Sequence, residues 1–377
     1  MRVLQICSAR QLGGGEKHLI DLSNALARRG HDVYAAVAPD SPLLPELTAL
    51  PQQNITQTPL RNALDLPSAR QLARFIHKHK IDIVHAHIAR DYPLAAFAAM
   101  RNTGAQFILT RHALFPLNKL HKITLARAAR IIAVSAAVAR SLRDSRVVDT
   151  GKIVVVLNGI DTAKFGGIEA PAFNNNSFHQ SRNSDEVALL VGTIGHLGFI
   201  KGHEDFVRAA ALIAARRTNV KFLIVGEDKS RAGENRVRLE ALIRELNLNA
   251  RVRLGGWTND AAAALRKFDV FVSAARSEPF GLAIVEAMAS GTAVVATMTE
   301  GAREIVEDNV TGKLVPIGDI EAMASAIDSL LADKNQRETF GTRARLAARE
   351  RFSLERMVDA TEQIYREALQ YAMNAER

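Results

Sequence analysis

Cysteine is almost missing from this chain: Cys7 is the only one among 377 residues. An intramolecular disulfide is therefore impossible, and a reducing compartment is the simplest setting. Long apolar runs are missing too, since none approaches the roughly 18–20 residues of a membrane span. The opening MRVLQICSAR carries one basic residue ahead of a very short apolar stretch. That is too little for a secretion signal, and the segment is expected to be a first β-strand. Aromatics make up only 5% of the chain and no nucleic-acid motif occurs, which disfavours nucleic acid as a partner. Neither G-x-G-x-x-G nor the Walker pattern is found, so dinucleotide and P-loop readings lose ground.

What is present is the composition of an ordinary globular protein, 47% apolar and 24% charged, in a chain too long for one core. Two domains are expected. The net charge of +9 is concentrated in the N-terminal half, which predicts either a solvated basic surface or a face for anionic lipid head groups or an acidic acceptor. Short strands rich in Val and Ile alternate with amphipathic helices. RVLQIC (2–7) precedes EKHLIDLSNALARRG (16–30), where Leu19, Leu22 and Leu26 recur at helical spacing. HDVYAAVA, IDIVHAH, QFILTRH, RIIAVS and KIVVVLNG continue the alternation, then a second series runs from VALLVGTIG (187–195) to GKLVP (312–316). Such a pattern predicts an α/β chain with two doubly wound, Rossmann-like parallel sheets. Residues 166–186, rich in Gly, Asn and Ser, read as a linker between domains 1–165 and 187–352, with a terminal helix over 353–377.

Four stretches can carry chemistry. GGGE (13–16) joins the first strand to its helix, where glycines let backbone N–H groups approach an anion at a helix N-terminus. His85 and His87 in VHAH point to one face of a strand, and His112 ends the strand LTRH. A metal site there would need a third ligand, and no Cys/His cluster in the sequence supplies one, so hydrogen-bonded histidines are the alternative. GTIGHLGFIKGHEDF (192–206) places Lys201 just before a helix, where an ammonium can meet a phosphate. SEPFGLAIVEAMASG (277–291) sets Glu278 and Glu286 around an apolar segment, with Pro279 and Gly281 at the entrance of a helix that Gly291 closes. The first-turn N–H groups would form an anion site flanked by two carboxylates, which as pure acceptors suit sugar or ribose hydroxyls.

Glu278-x7-Glu286 with PFG inside it resembles the E-x7-E signature of the family 4 retaining glycosyltransferases. GGGEKHLIDLSNALARRGHDV, DIVHAH, TRH, IIAVSAAV, VVVLNGID, KGHEDF, FLIVGE, EGAREIVEDNVTGKLVP and RFSLERMV follow in that family's usual order. The resemblance covers essentially the whole chain. It implies the GT-B fold, two Rossmann-like domains whose parallel sheets face an interdomain cleft, with the acceptor on the first and the nucleotide-sugar on the second. The terminal helix would cross back to the first domain. By the same likeness Glu286 holds the donor ribose and Glu278 the sugar. The N–H groups of Phe280, Gly281 and Leu282 contact sugar and diphosphate, and Lys201 neutralises the diphosphate as it leaves. Gly14 and Gly15 approach the diphosphate, and His112 meets the sugar near the reacting carbon.

One departure stands out. Many members carry an arginine before the lysine, where this chain has His196 in GHLGFIKG. Arg10 and Arg276 are the candidate substitutes. No D-x-D pair occurs, so a divalent ion bridging the diphosphate has no obvious ligands; no metal and no other cofactor are expected. The resemblance implies transfer with retention from a nucleotide-diphosphate sugar, a UDP-sugar before GDP or ADP, to a glycan or lipid-linked acceptor in surface-polysaccharide assembly. A cytoplasmic protein, peripheral on the inner membrane face, is the matching location. The competing readings are an epimerase or hydrolase of the same fold, which would turn over donor without acceptor, and a non-catalytic nucleotide-sugar-binding protein.

Overall fold

The computed structural model describes residues 1–115, 117, 119, 121–166 and 188–375. Apart from Gly166, the predicted linker 166–186 lies outside them. Two compact units are present, Met1–Gly159 with Leu354–Arg377, and Ile160–Ser353.

In the first unit β1 (Arg2–Cys7), α1 (Gly14–Arg28), β2 (Asp32–Val37), β3 (Ile55–Gln57), α2 (Leu66–His79), β4 (Ile83–Ala86) and α3 (Tyr92–Met100) follow in order. Then come β5 (Gln106–Arg111), α4 (His121–Ala126), β6 (Arg130–Ala133), α5 (Ala136–Asp144) and β7 (Ile153–Val155). The strands form one parallel sheet ordered β3-β2-β1-β4-β5-β6-β7. β1 is buried from Val3 through Cys7 because both faces are covered, which is why it reads as a continuous apolar run. α2 and α5 begin where side chains claim the first free N–H groups: Asp65 accepts from Ser68 N and Ser135 from Val138 N. Leu19, Leu22 and Leu26 are fully buried, as their spacing predicts.

The second unit holds α6 (Thr162–Gly166), β8 (Leu189–Ile194), α7 (His203–Ala214), β9 (Val220–Val225), α8 (Glu234–Glu245), β10 (Val252–Gly256), α9 (Ala261–Leu265) and β11 (Val270–Ser273). It continues with α10 (Leu282–Ala289), β12 (Ala293–Thr297), α11 (Glu300–Ile305), β13 (Lys313–Val315), α12 (Ile320–Ala332) and α13 (Lys334–Arg351). Its parallel sheet is ordered β10-β9-β8-β11-β12-β13, the same winding as in the first unit. Each sheet therefore has a switch point, β1/β4 and β8/β11, where the connections turn to opposite sides. Ligands of doubly wound sheets bind outside the carboxyl ends of strands at such points.

Two elements depart from the sequence reading. β3 was not expected, because three residues at a sheet edge leave no period to detect. The first domain was expected to run to residue 165, whereas the units divide after Gly159. The reason is local packing: Ile160 N donates to Phe352 O, Phe165 is buried, and Arg266 donates to the Lys164 and Phe165 carbonyls. The last helix, α14 (Leu354–Ala375), belongs to the first unit. Met357, Val358, Ile364, Tyr365 and Ala368 on it share a core with Leu19, Leu22 and Leu26 of α1.

Candidate active site

In the second unit the predicted donor residues gather at the carboxyl ends of β8 and β11. After β8 the chain passes His196 and makes a short 3-10 turn over Phe199–Lys201, ending at Gly202 with φ 66°. A Cβ on Gly202 would sit 1.9 Å from the Ala274 carbonyl oxygen, so glycine is what lets this turn lie against the loop leaving β11. The result is a short ion pair: Lys201 Nζ donates to Glu278 Oε2 at 2.6 Å, with both side chains largely shielded.

Gly281, with φ 117° and ψ 56°, precedes α10 in a conformation that a Cβ would strain. No side chain caps α10, which leaves its first-turn N–H groups unclaimed by any cap at the positive end of the helix dipole. Phe280 is buried against Phe352, ring centroids 5.8 Å apart, and this anchors the loop from which Gly281 and Leu282 continue. Glu286 lies one turn into α10, 8% exposed among Ile284, Val285, Ala287 and Met288. Glu278, Lys201, Phe280, Gly281, Leu282 and Glu286 thus share one end of one sheet.

His196 is held below its ordinary pKa by loss of water, then by Lys201 and Lys229, against a smaller opposing pull from Glu278. In the free chain this favours the neutral imidazole, so His196 lacks the permanent charge of an arginine. Arg276 is already committed, with Nη2 donating to both oxygens of buried Asp205 at 2.9 Å and its guanidinium over the Phe199 ring. Sequence reasoning overlooked Lys229 as a cation of this neighbourhood.

In the first unit α1 starts at Gly14 after Gly13, again with no side-chain cap. Gly15 also has a packing role, since a Cβ there would stand 3.2 Å from the His112 ring. His85 is fully buried and fully used: Nδ1 meets the Tyr365 hydroxyl at 2.6 Å and Nε2 the Thr110 hydroxyl at 2.8 Å. His87 Nε2 lies 2.8 Å from Gln5 Oε1, and Gln5 Nε2 donates to Tyr365 Oη. The fold brings a further histidine, not among the candidates read from the sequence, to His87 and His112. His18, at the second turn of α1, brings its ring to 4.8 Å from His112 and 5.6 Å from His87, centroid to centroid. It was legible as the last residue of GGGEKH, one helical turn from Gly14, but only the fold shows which strand ends it faces. Burial pushes all four imidazoles below their ordinary pKa, His18 to about 4, so the cluster is neutral at pH 7.

Residues 12–164 match the family model described as Glycosyltransferase Family 4, and residues 174–347 the one described as Glycosyl transferases group 1. The chain belongs to the family 4 glycosyltransferases. This glycosyltransferase is 28% identical over 363 residues to the lipopolysaccharide core biosynthesis glycosyltransferase LpsE of Rhizobium meliloti, covering 92% of this chain and 94% of that one. Among solved structures it superposes on a glycosyltransferase from Rickettsia africae with a TM-score of 0.86 at 25% identity, covering 98% of both chains. Anabaena Alr3699/HepE, solved with UDP and glucose, superposes with a TM-score of 0.82 at 22% identity over 96% of this chain and 98% of that one. The glycosyltransferase therefore has the GT-B fold. Among the described residues, no helix is long and apolar enough to cross a membrane.

Proposed function

We propose that this glycosyltransferase moves a sugar from a UDP-sugar to a hydroxyl of a lipopolysaccharide-type or lipid-linked surface glycan, with retention and without a metal on the diphosphate. The observation that carries the reading is the Lys201–Glu278 pair beside the uncapped entrance of α10, with buried Glu286 one turn further on. The cation and the helix N-terminus match the diphosphate, Glu278 the sugar hydroxyls and Glu286 the ribose hydroxyls of such a donor. UDP as the nucleotide follows the Anabaena relative's complex, and the acceptor class follows the Rhizobium relative's role.

In the proposed reaction Glu286 accepts from the ribose hydroxyls and Glu278 from the sugar. Lys201 then exchanges its carboxylate partner for the diphosphate, assisted by the N–H groups of Phe280, Gly281 and Leu282. The bond from the anomeric carbon to the β-phosphate oxygen breaks through an oxocarbenium-like transition state. The acceptor oxygen forms its bond on the same face, and its proton passes to the departing phosphate. Charge developing on the leaving group is met by fixed cations and dipoles, which is electrostatic stabilisation. His196, nearly uncharged in the free protein, gains a proton when the diphosphate arrives, or Lys229 supplies the second charge. Gly14 and Gly15 are assigned to the diphosphate and His112 to the sugar. The first unit carries the acceptor, and its basic character suits an anionic membrane surface on the cytoplasmic side.

A thermal-shift screen of UDP-, GDP- and ADP-sugars tests the donor, since a ligand of the native state raises its apparent stability. No shift with UDP would reject that nucleotide. NMR of the product's anomeric proton tests the stereochemistry, and an inverted product would overturn the same-face route. Full activity after chelation and dialysis is expected.

A further inference from the structure

His18, His87 and His112 of the first unit have a feature that sugar binding does not require. Two of them are held in fixed tautomers by acceptor-only oxygens. His18 Nδ1 lies 2.8 Å from Asn158 Oδ1, and His87 Nε2 lies 2.8 Å from Gln5 Oε1. A carbonyl oxygen only accepts, so each of these nitrogens carries the ring proton, and the other nitrogen is left with a bare lone pair. Gln5 is fixed in that orientation because its amide nitrogen donates to Tyr365 Oη. His18 Nε2 is buried with no hydrogen-bond partner. Ring nitrogens of His18, His87 and His112, one from each, lie within 4.8 Å of one another. An imidazole whose second N–H is anchored to a carbonyl is the usual arrangement of a metal-ligating histidine.

From this juxtaposition of His18, His87 and His112 we propose a binding site for a divalent transition metal of the zinc class. Three neutral imidazoles suit Zn2+ or Co2+, with a fourth position left to water. The separation of His87 Nδ1 and His112 Nε2, 3.4 Å, is long for a hydrogen bond. It is close to the edge of a tetrahedron with metal–nitrogen bonds of about 2.0–2.1 Å. His18 offers its nitrogen within 4.8 Å of the other two, so its ring moves inward to reach bonding distance of the same ion. His112 is half-buried, which gives an ion a way in. The ion is not a cofactor of the transfer. Resting on the sugar role proposed for His112, it would compete with the donor sugar for that ring.

The test uses the full metal-free chain with Zn2+ or Co2+ alone. One equivalent of Co2+ per chain is expected, with the intense visible bands of four-coordinate cobalt. His18→Ala is expected to weaken binding at least a hundredfold, and Asn158→Ala, which frees the His18 ring, about tenfold. His77→Ala, an exposed histidine outside the cluster, is expected to change nothing. His112→Cys keeps the site and adds a sulfur-to-cobalt charge-transfer band, so the proposal stays testable even where an alanine variant fails to fold. Weak bands of six-coordinate cobalt, or Zn2+ affinity unchanged in folded His18→Ala, would overturn the site. So would a missing sulfur band in folded His112→Cys. The titration uses neither donor nor acceptor, so an error in the assigned transfer reaction leaves its outcome untouched.

Discussion

Replacing Tyr365 by Phe removes one oxygen and leaves the ring volume of a fully buried side chain in place. That oxygen bonds His85 Nδ1 at 2.6 Å and receives a hydrogen bond from Gln5 Nε2 at 3.3 Å, so the change orphans one buried acceptor and one buried donor. His85 has no freedom to compensate, because its other nitrogen is held by Thr110. Leaving a buried polar group unsatisfied costs about 1–3 kcal/mol each, which puts the loss at about 2–4 kcal/mol once partial relaxation is allowed. Packing contributes little, since the substitution conserves shape. For a unit of this size, each kcal/mol lowers the melting temperature by about 2–4 °C, so a drop on the order of 5–15 °C is expected. Urea unfolding followed by circular dichroism measures it, with the slope m unchanged if only the native state is affected. A loss below about 0.5 kcal/mol would refute the account of α14 as bonded, through this hydroxyl, to the ends of β1 and β4.

Glu286→Gln is expected to weaken UDP affinity by about ten- to a hundredfold, the worth of a hydrogen bond to a charged group, with no change in fold; calorimetry showing equal affinity would remove the ribose role. His196→Arg should tighten donor binding several-fold by adding a permanent charge beside Lys201, and unchanged affinity would mean that the diphosphate lies elsewhere. Gly281→Ala should cost at least about 1 kcal/mol of stability from its positive φ and lower donor affinity, since the new Cβ also meets Ile284 Cδ1 at 3.1 Å. Burial raises the Asp91 carboxyl from 3.8 to about 6. Between those values the folded chain binds more protons than the unfolded one, so this group's contribution falls as pH rises and is a net penalty above about 6. Asp91→Asn should therefore gain on the wild type between pH 4 and 7, by about 3 kcal/mol at most; a difference independent of pH in urea titrations would refute the shift.

Much of the second unit's site was legible in one dimension. Glu278, the PFG entrance and Glu286 are close in sequence, and a helix begun at Leu282 fixes their relative places whatever surrounds it. Lys201 was legible as a cation before a helix. Its pairing with Glu278 depends on Gly202 packing against the Ala274 carbonyl, a contact between distant strands. Arg276 read as a spare charge until the fold placed buried Asp205 beside it.

The sequence by itself determined the alternation of strand and helix, the two doubly wound halves and the helix-borne motif, because each depends on periodicity or on neighbours within a turn. Only the tertiary structure decided where the units divide, which core α14 joins, and that His18 of α1 meets His87 and His112 at the ends of β4 and β5. Those outcomes depend on parallel strand order and on the crossovers between strands. Residues far apart in the chain become neighbours there, and no local period records it.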